Sequence, residues 1–276
     1  MRASSRIQES SSLIAAAQNG DRKALERLLQ AEQRRIYAFG LRMCGNASDA
    51  SDVLQETMLA VTRNIGTFRG DASLSTWLFQ IARSFCIKNR RRRKGAPKRT
   101  EPLDVAKEET LADDSPSPEQ TTRRKELAAQ LNEALATMAA PAREVLVLRD
   151  VEGLTAPEVA RVLGISVEAV KSKLHRARAS LQAALAPHLD RGPHTKGRDC
   201  PDILAMYSKQ LEGELTSAMC AKMEKHVARC QRCSGACDAL KRSLALCKTQ
   251  PVVPSDIQRT VRRSLRRILA SSVKSE

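Results

Sequence analysis

Aromatic side chains are scarce in this sequence: Phe, Tyr and Trp make up 3% of its 276 residues. Six of the seven, Tyr37, Phe39, Phe68, Trp77, Phe79 and Phe85, lie between positions 37 and 85. The rest of the chain must therefore build its cores from Leu, Val and Ala, which suits small helical domains. Long apolar runs are missing as well. No stretch reaches the roughly 18 consecutive apolar residues that a membrane-spanning helix needs. The first turns of the chain are broken by Arg6, Glu9, Asp21, Arg22 and Lys23, unlike a secretory leader. The expectation is a cytoplasmic protein with no membrane span. Nor is there an alternating apolar pattern long enough to set a strand. A Ser/His/Asp set, a phosphate-cradling glycine loop and an open metal site with a general base are all missing too, so the chain reads as a binding protein and not an enzyme.

What is present is positive charge and cysteine. Lys and Arg number 47 against 31 Asp and Glu, a formal net charge of +16, which points to a polyanionic partner. Of 8 cysteines, six (Cys200, Cys220, Cys230, Cys233, Cys237 and Cys247) fall in the last third. In a reducing compartment such clustering speaks for metal or redox chemistry over a disulfide framework.

Apolar residues at helical spacing (Leu13, Ala16, Ala17; Ala24, Leu25, Leu28, Leu29; Ile36, Phe39, Met43) predict consecutive amphipathic helices over a first block, 11–95. They break at Asn19-Gly20-Asp21, Gly45-Asn46 and Arg69-Gly70-Asp71. Residues 96–123 mix acidic residues with Pro97, Pro102, Pro116 and Pro118 and read as a flexible acidic linker. A second helical block spans 124–190. A turn-rich hinge separates it from a cysteine-rich block at 199–250, and 251–276 forms a basic amphipathic tail with Ile257, Val261, Leu265 and Leu269 four apart. Ser255 and Gln258 are positioned for a capping box at its start. The predicted fold class is all-α.

Within the second block, residues 154–178 carry the grammar of two short helices joined by a tight turn. Thr155 and Glu158 form a capping box, Gly164 closes the first helix and Ser166 caps the second. Val159, Ala160, Leu163, Ile165, Val170 and Leu174 supply the core that fixes the angle between them. The second helix offers Glu168, Lys171, Ser172, Lys173, His175, Arg176 and Arg178, a set suited to base edges and phosphates in a major groove.

This segment, "GLTAPEVARVLGISVEAVKSKLHRARASLQ", resembles region 4 of the extracytoplasmic-function (ECF) sigma factors. By that resemblance its second helix reads the minus thirty-five promoter element. Upstream, "DASDVLQET" resembles region 2.2, and "FRGDASLSTWLFQIARSFCIKNRRRRK" resembles regions 2.3 and 2.4. The resemblance implies that Asp49, Asp52, Leu54, Gln55 and Glu56 dock on the RNA polymerase core. It also implies that Arg69, Gly70, Asp71 and Ser73 belong to the loop that captures a flipped minus ten base, with Arg83, Lys88, Arg90 and Arg91 along the strand backbone. Trp77, among Leu78, Phe79 and Ile81, reads as core before stacking platform. Ser84 and Lys88 depart from the family's usual Asn and Asp.

In the third block the spacing Cys-x25-His-x3-Cys-x2-Cys brings Cys200, His226, Cys230 and Cys233 into the pattern of a tetrahedral zinc site. The stretch resembles the zinc-binding anti-sigma fold, here fused to a sigma, as in the metal-responsive CorE-type factors. Cys220, Cys237 and Cys247 are additional thiols. Zn2+ is the expected cofactor, with Cu or Cd as alternative sensed metals. Expected partners are the RNA polymerase core and promoter DNA, with no separate anti-sigma factor required. Two other readings stay open: a helix-turn-helix regulator that does not engage polymerase, and a sigma factor whose zinc domain is only structural.

Overall fold

The computed structural model describes residues 11–94, 118–185, 200–248, 251 and 253–271. Among them there are helices and no strands, as the pattern predicts. In chain order they are α1 (11–18), α2 (Arg22–Cys44), α3 (Ala47–Asn64), α4 (Leu74–Lys94), α5 (Pro118–Thr137), α6 (Ala140–Leu146), α7 (Ala156–Leu163), α8 (Val167–Leu185), α9 (Ile203–Leu211), α10 (Ser217–Arg229), α11 (Gln231–Cys247) and α12 (Ser255–Ser271). The chain divides into two compact units: Met1–Thr110 with Gln250–Glu276, and Leu111–Thr249. The tail thus belongs with the first block and the cysteine-rich block with the second, a grouping that local patterning could not supply.

In the first unit two of the three expected breaks are caps, and after the third, Arg69-Gly70-Asp71, the cap of α4 falls on Ser73. Asp21 accepts from the backbone N–H groups of Lys23 and Ala24 at 2.8 and 3.1 Å and starts α2; Gly45, at φ 77°, ends it in the left-handed region. Asn46 then caps α3 by accepting from the Asp49 N–H at 2.8 Å. Leu25, Leu28, Leu29, Ile36 and Phe39 of α2 pack with Val53, Leu54, Met58 and Val61 of α3 and Leu78, Phe79 and Ala82 of α4. The Phe39 and Phe79 rings sit 5.2 Å apart at a tilt. A Cβ on Gly40 would lie 3.1 Å from the Ala50 Cα, so α2 and α3 touch backbone to backbone there. Helix α12 lays Val261 and Leu265 onto this bundle against α3, where both are buried. At its start the Gln258 amide donates to the Val253 carbonyl at 2.7 Å, a different partner from the expected return to Ser255.

The second unit opens with α5, which starts at Pro118, inside the stretch expected to be linker; residues 95–117 lie outside the described residues. Pro at the first turn of α6 fits the missing donors there. After α6 the backbone widens into a π-helical turn over Val147–Val151, with Glu152 N–H bonded to Val147 O at 3.0 Å. The helix-turn-helix follows as predicted: the Thr155/Glu158 capping box is formed, Gly164 sits at φ 67°, and Ser166 Oγ accepts from Ala169 N–H at 3.1 Å. Val159, Val170, Leu174, Ala177 and Leu181 are fully buried between the helices. Helices α9 and α11 pack on α8, which joins the cysteine-rich block to the helix-turn-helix.

Candidate nucleic-acid interface and metal centre

On α3 the apolar stripe faces α2 and α4, which decides where the expected polymerase-docking residues go. Asp52 and Glu56 are exposed. Leu54 is fully buried core, and Asp49 is buried, its carboxylate accepting from the Asn46 amide at 3.0 Å. Both therefore support the helix from inside and are not part of its outer face. Gln55 donates to Ser264 Oγ of α12 at 3.3 Å, so the tail reaches the same face. Arg92 of α4 lies 3.7 Å from Asp52 across exposed surface.

The loop before α4 is held by Gln18, whose amide donates to Phe68 O at 2.6 Å. Gly70 takes φ 77°, and Ser73 caps α4 by accepting from Thr76 N–H at 3.2 Å. Arg69, Gly70, Asp71 and Ser73 are exposed, as are Lys88, Arg90 and Arg91 along α4; Arg83 is half-buried. Trp77 is half-buried against Phe68, the rings 5.3 Å apart, so it buttresses this loop more than it fills the core.

On α8, the helix expected to read the minus thirty-five element, the expected residues separate. Glu168, Ser172 and Arg176 are exposed, while Lys171, Lys173 and His175 are half-buried. Arg178 points the other way and is 2% exposed. Its Nε and Nη2 grip Asp150 at 2.8 and 2.6 Å, Nη2 also reaches Glu212 at 2.8 Å, and Nη1 donates to Ser208 Oγ at 2.8 Å. Burial alone would depress this guanidinium, but the hydrogen bonds and charges of Asp150 and Glu212 outweigh it and hold the pKa above its ordinary value. Glu212 accepts from Arg149 as well, at 2.9 Å. Two turns back along the helix Lys171 pairs with Glu214, whose hydrogen bond raises the lysine pKa. Two carboxylates from the turn that follows α9 thus occupy two cations of the helix-turn-helix. In this conformation Arg178 is a structural cation and not a DNA contact.

At the other end of α9 lies the metal cluster. Cys200 precedes α9, His226 is on α10, Cys230 joins α10 to α11 and Cys233 is on α11. Their ligand atoms all lie within 4.8 Å of one another. Cys200 and Cys230 sulfurs are 3.9 Å apart, and His226 Nε2 is 3.2 Å from Cys233 Sγ. A tetrahedral Zn site has edges of about 3.5–3.8 Å, so three thiols and an imidazole at these separations fit a closed four-ligand centre. Hydrogen bonding from the Cys233 backbone lowers the Cys230 thiol to about 7, and burial pushes Cys233 up to about 12. Beside it Ile203, Met223, Ala236 and Cys237 form a small core. Of the further thiols, Cys237 is buried in this core but outside the four-residue group, Cys247 is buried and Cys220 is half-buried on α10.

Two helical domains, one with a helix-turn-helix, followed by a block that gathers three cysteines and a histidine define a class, and comparison with known proteins agrees. Family models match residues 28–96 as "Sigma-70 region 2", 128–181 as "Sigma-70, region 4" and 200–234 as "Putative zinc-finger". The RNA polymerase sigma-H factor of Pseudomonas aeruginosa is 30% identical over 181 residues, covering 64% of this chain and 94% of that protein. The ECF RNA polymerase sigma factor SigM of Mycobacterium tuberculosis is 34% identical over 180 residues, covering 65% and 86%. A solved structure of the sigma factor RpoE with the anti-sigma factor NepR from Bartonella quintana is similar at 22% identity and TM-score 0.48, covering 61% of this chain and 99% of that one. The chain belongs to the ECF sigma factors of RNA polymerase. It is a non-enzymatic transcription initiation factor.

Proposed function

We propose that this sigma factor is gated by metal occupancy of its own cysteine-rich block, which closes the minus thirty-five reading helix when the four ligands are gathered. The observation that carries this is the pair of carboxylates, Glu212 and Glu214, on Arg178 and Lys171 of the helix-turn-helix unit. They stand at one end of α9, and the ligand Cys200 stands at the other. Zn2+ held by Cys200, His226, Cys230 and Cys233 would supply a tetrahedral cross-link without redox chemistry of its own. Fixed by that link, α9 keeps its carboxylates on α8. Without it the small core loses its main tie, and Lys171 becomes free for phosphate. Metal can shift this balance only as far as its affinity for the two states differs.

In the open state Asp52 and Glu56 present an acidic face to the polymerase core. Arg69, Gly70, Asp71, Ser73, Arg83, Lys88, Arg90 and Arg91 serve the minus ten strand, and Glu168, Lys171, Ser172, Lys173, His175 and Arg176 the minus thirty-five duplex. No separate anti-sigma factor is required in this reading. Run-off transcription with core polymerase tests it, with a chelator, Zn, Cu(I), Cd or peroxide varied and the double variant Glu212→Ala/Glu214→Ala alongside. Transcripts should rise on metal removal and be high and metal-indifferent in the double variant. Transcripts equal under every condition would reduce the third block to a structural staple; none at all would remove promoter recognition itself.

A further inference from the structure

The tail helix α12 has two faces, and the fold uses one. Val261 and Leu265 are buried against α3, and Ser264 receives the Gln55 amide. Outward, Arg259, Arg262, Arg263, Arg266 and Arg267 are all exposed and line one shallow groove of ≈ 470 Å³. Glu26 approaches Arg266 at 3.9 Å, but with side chains 70% and 44% exposed that pair holds little.

A solvated helix face ordinarily interleaves acids with bases at i, i+4, which stabilises the helix; like charges at those spacings destabilise it. Here Arg259 faces Arg262 and Arg263, and these face Arg266 and Arg267, with no carboxylate between them. The chosen cation is arginine at all five positions. Its planar fork binds phosphate oxygens in pairs, whereas lysine acts as a point charge. The arginines form three rungs, each about one 5.4 Å turn from the next, so a linear polyanion would meet a cation at each rung.

We propose that this arginine face is a sequence-independent binding surface for the phosphate backbone of duplex DNA. Two features separate that partner from others. A membrane-surface helix needs its apolar face free to enter the lipid, and here α3 covers it. A specific protein partner wants an aromatic or bulky aliphatic anchor at the centre of its site, and among the described residues this groove is lined by arginine side chains. The surface shares its unit with the exposed basic residues Lys88, Arg90 and Arg91 of α4. The inference does not depend on metal gating, because it concerns neither α8 nor the cysteine block.

The test uses the full chain and a fluorescent duplex of random sequence, so that promoter recognition plays no part, with binding followed by anisotropy across a salt series. Each phosphate contact adds about 0.9 to the slope of log affinity against log salt, so Arg262→Gln/Arg263→Gln/Arg266→Gln/Arg267→Gln should flatten the slope by about 3.6. Affinity in low salt should fall at least about tenfold, and the matching four Arg→Lys changes should restore most of the slope. Helix content and melting should not fall, since the altered side chains are exposed and their loss relieves like-charge pairs. Should the fourfold variant fail to fold, the pairs Arg262→Gln/Arg266→Gln and Arg263→Gln/Arg267→Gln should each remove about half of the effect. An unchanged slope in the folded variants overturns the proposal. So does binding of the wild-type chain to phosphatidylserine vesicles or polyglutamate, lost in the variant, while DNA binding is retained.

Discussion

The two basic helices α4 and α8 are treated in opposite ways. Along α4 and the loop before it, Arg69, Lys88, Arg90 and Arg91 stand in solvent. On α8, Lys171 pairs with Glu214, and Arg178 is enclosed by Asp150, Glu212 and Ser208. Both surfaces look equally basic in the sequence. What distinguishes them is where carboxylates from elsewhere in the chain come to rest, and in one case two of those carboxylates, Glu212 and Glu214, are carried by the block that also gathers Cys200, His226, Cys230 and Cys233. Availability of charge is therefore a tertiary property.

That contrast can be broken from the metal end, with the largest effect. Structural zinc sites supply on the order of 10 kcal/mol to small domains, so Cys233→Ser should abolish stoichiometric metal and unfold the third block while α2–α4 stay intact. Metal analysis by mass spectrometry, with hydrogen exchange over 200–248, reads both halves. Next comes Glu212→Ala, which removes one acid from a buried network. It should cost the second unit about 3 kcal/mol in urea unfolding, and a shift confined to the first unit would contradict the placement of Arg178. Leu265→Ala should cost the first unit about 2 kcal/mol through the seat of α12 on α3 and leave the second unit's transition where it was. The smallest stability effect is expected for Glu214→Gln, because the Lys171 pair is near the surface. Its melting temperature should hold while affinity for a minus thirty-five duplex rises by roughly the several-fold that one added phosphate contact provides. Equal affinity would mean that Glu214 does not limit Lys171.

Caps and turns were legible residue by residue, because Asp21, Gly45, Asn46, Thr155, Glu158, Gly164 and Ser166 act within a few positions of themselves. The gathering of His226, Cys230 and Cys233 was legible for the same reason, through short spacing across the α10–α11 junction, while Cys200 joins them from 26 positions upstream. Arg178 was not read correctly, although a signal was present. It falls on the stripe Val170, Leu174, Ala177, Leu181, and a lone arginine on an apolar stripe must find buried acids. Leu54 likewise belongs to the stripe Val53, Met58, Val61, which outweighs its place in a docking motif. The π-helical turn that aims Asp150 at Arg178 carries no local mark, and neither does the pairing of α12 with α3, separated by most of the chain.

That last separation has a consequence in time. Helix α12 completes a unit whose other helices end at Lys94, so its seat on α3 can form only after the intervening residues have been made. At ordinary bacterial elongation speeds of about 5–20 residues per second, the gap lasts roughly 8–30 s. During each round of synthesis the apolar surface of α3 that Val261 and Leu265 will cover stands open beside the ribosome, within reach of whatever arrives before its own C-terminus does.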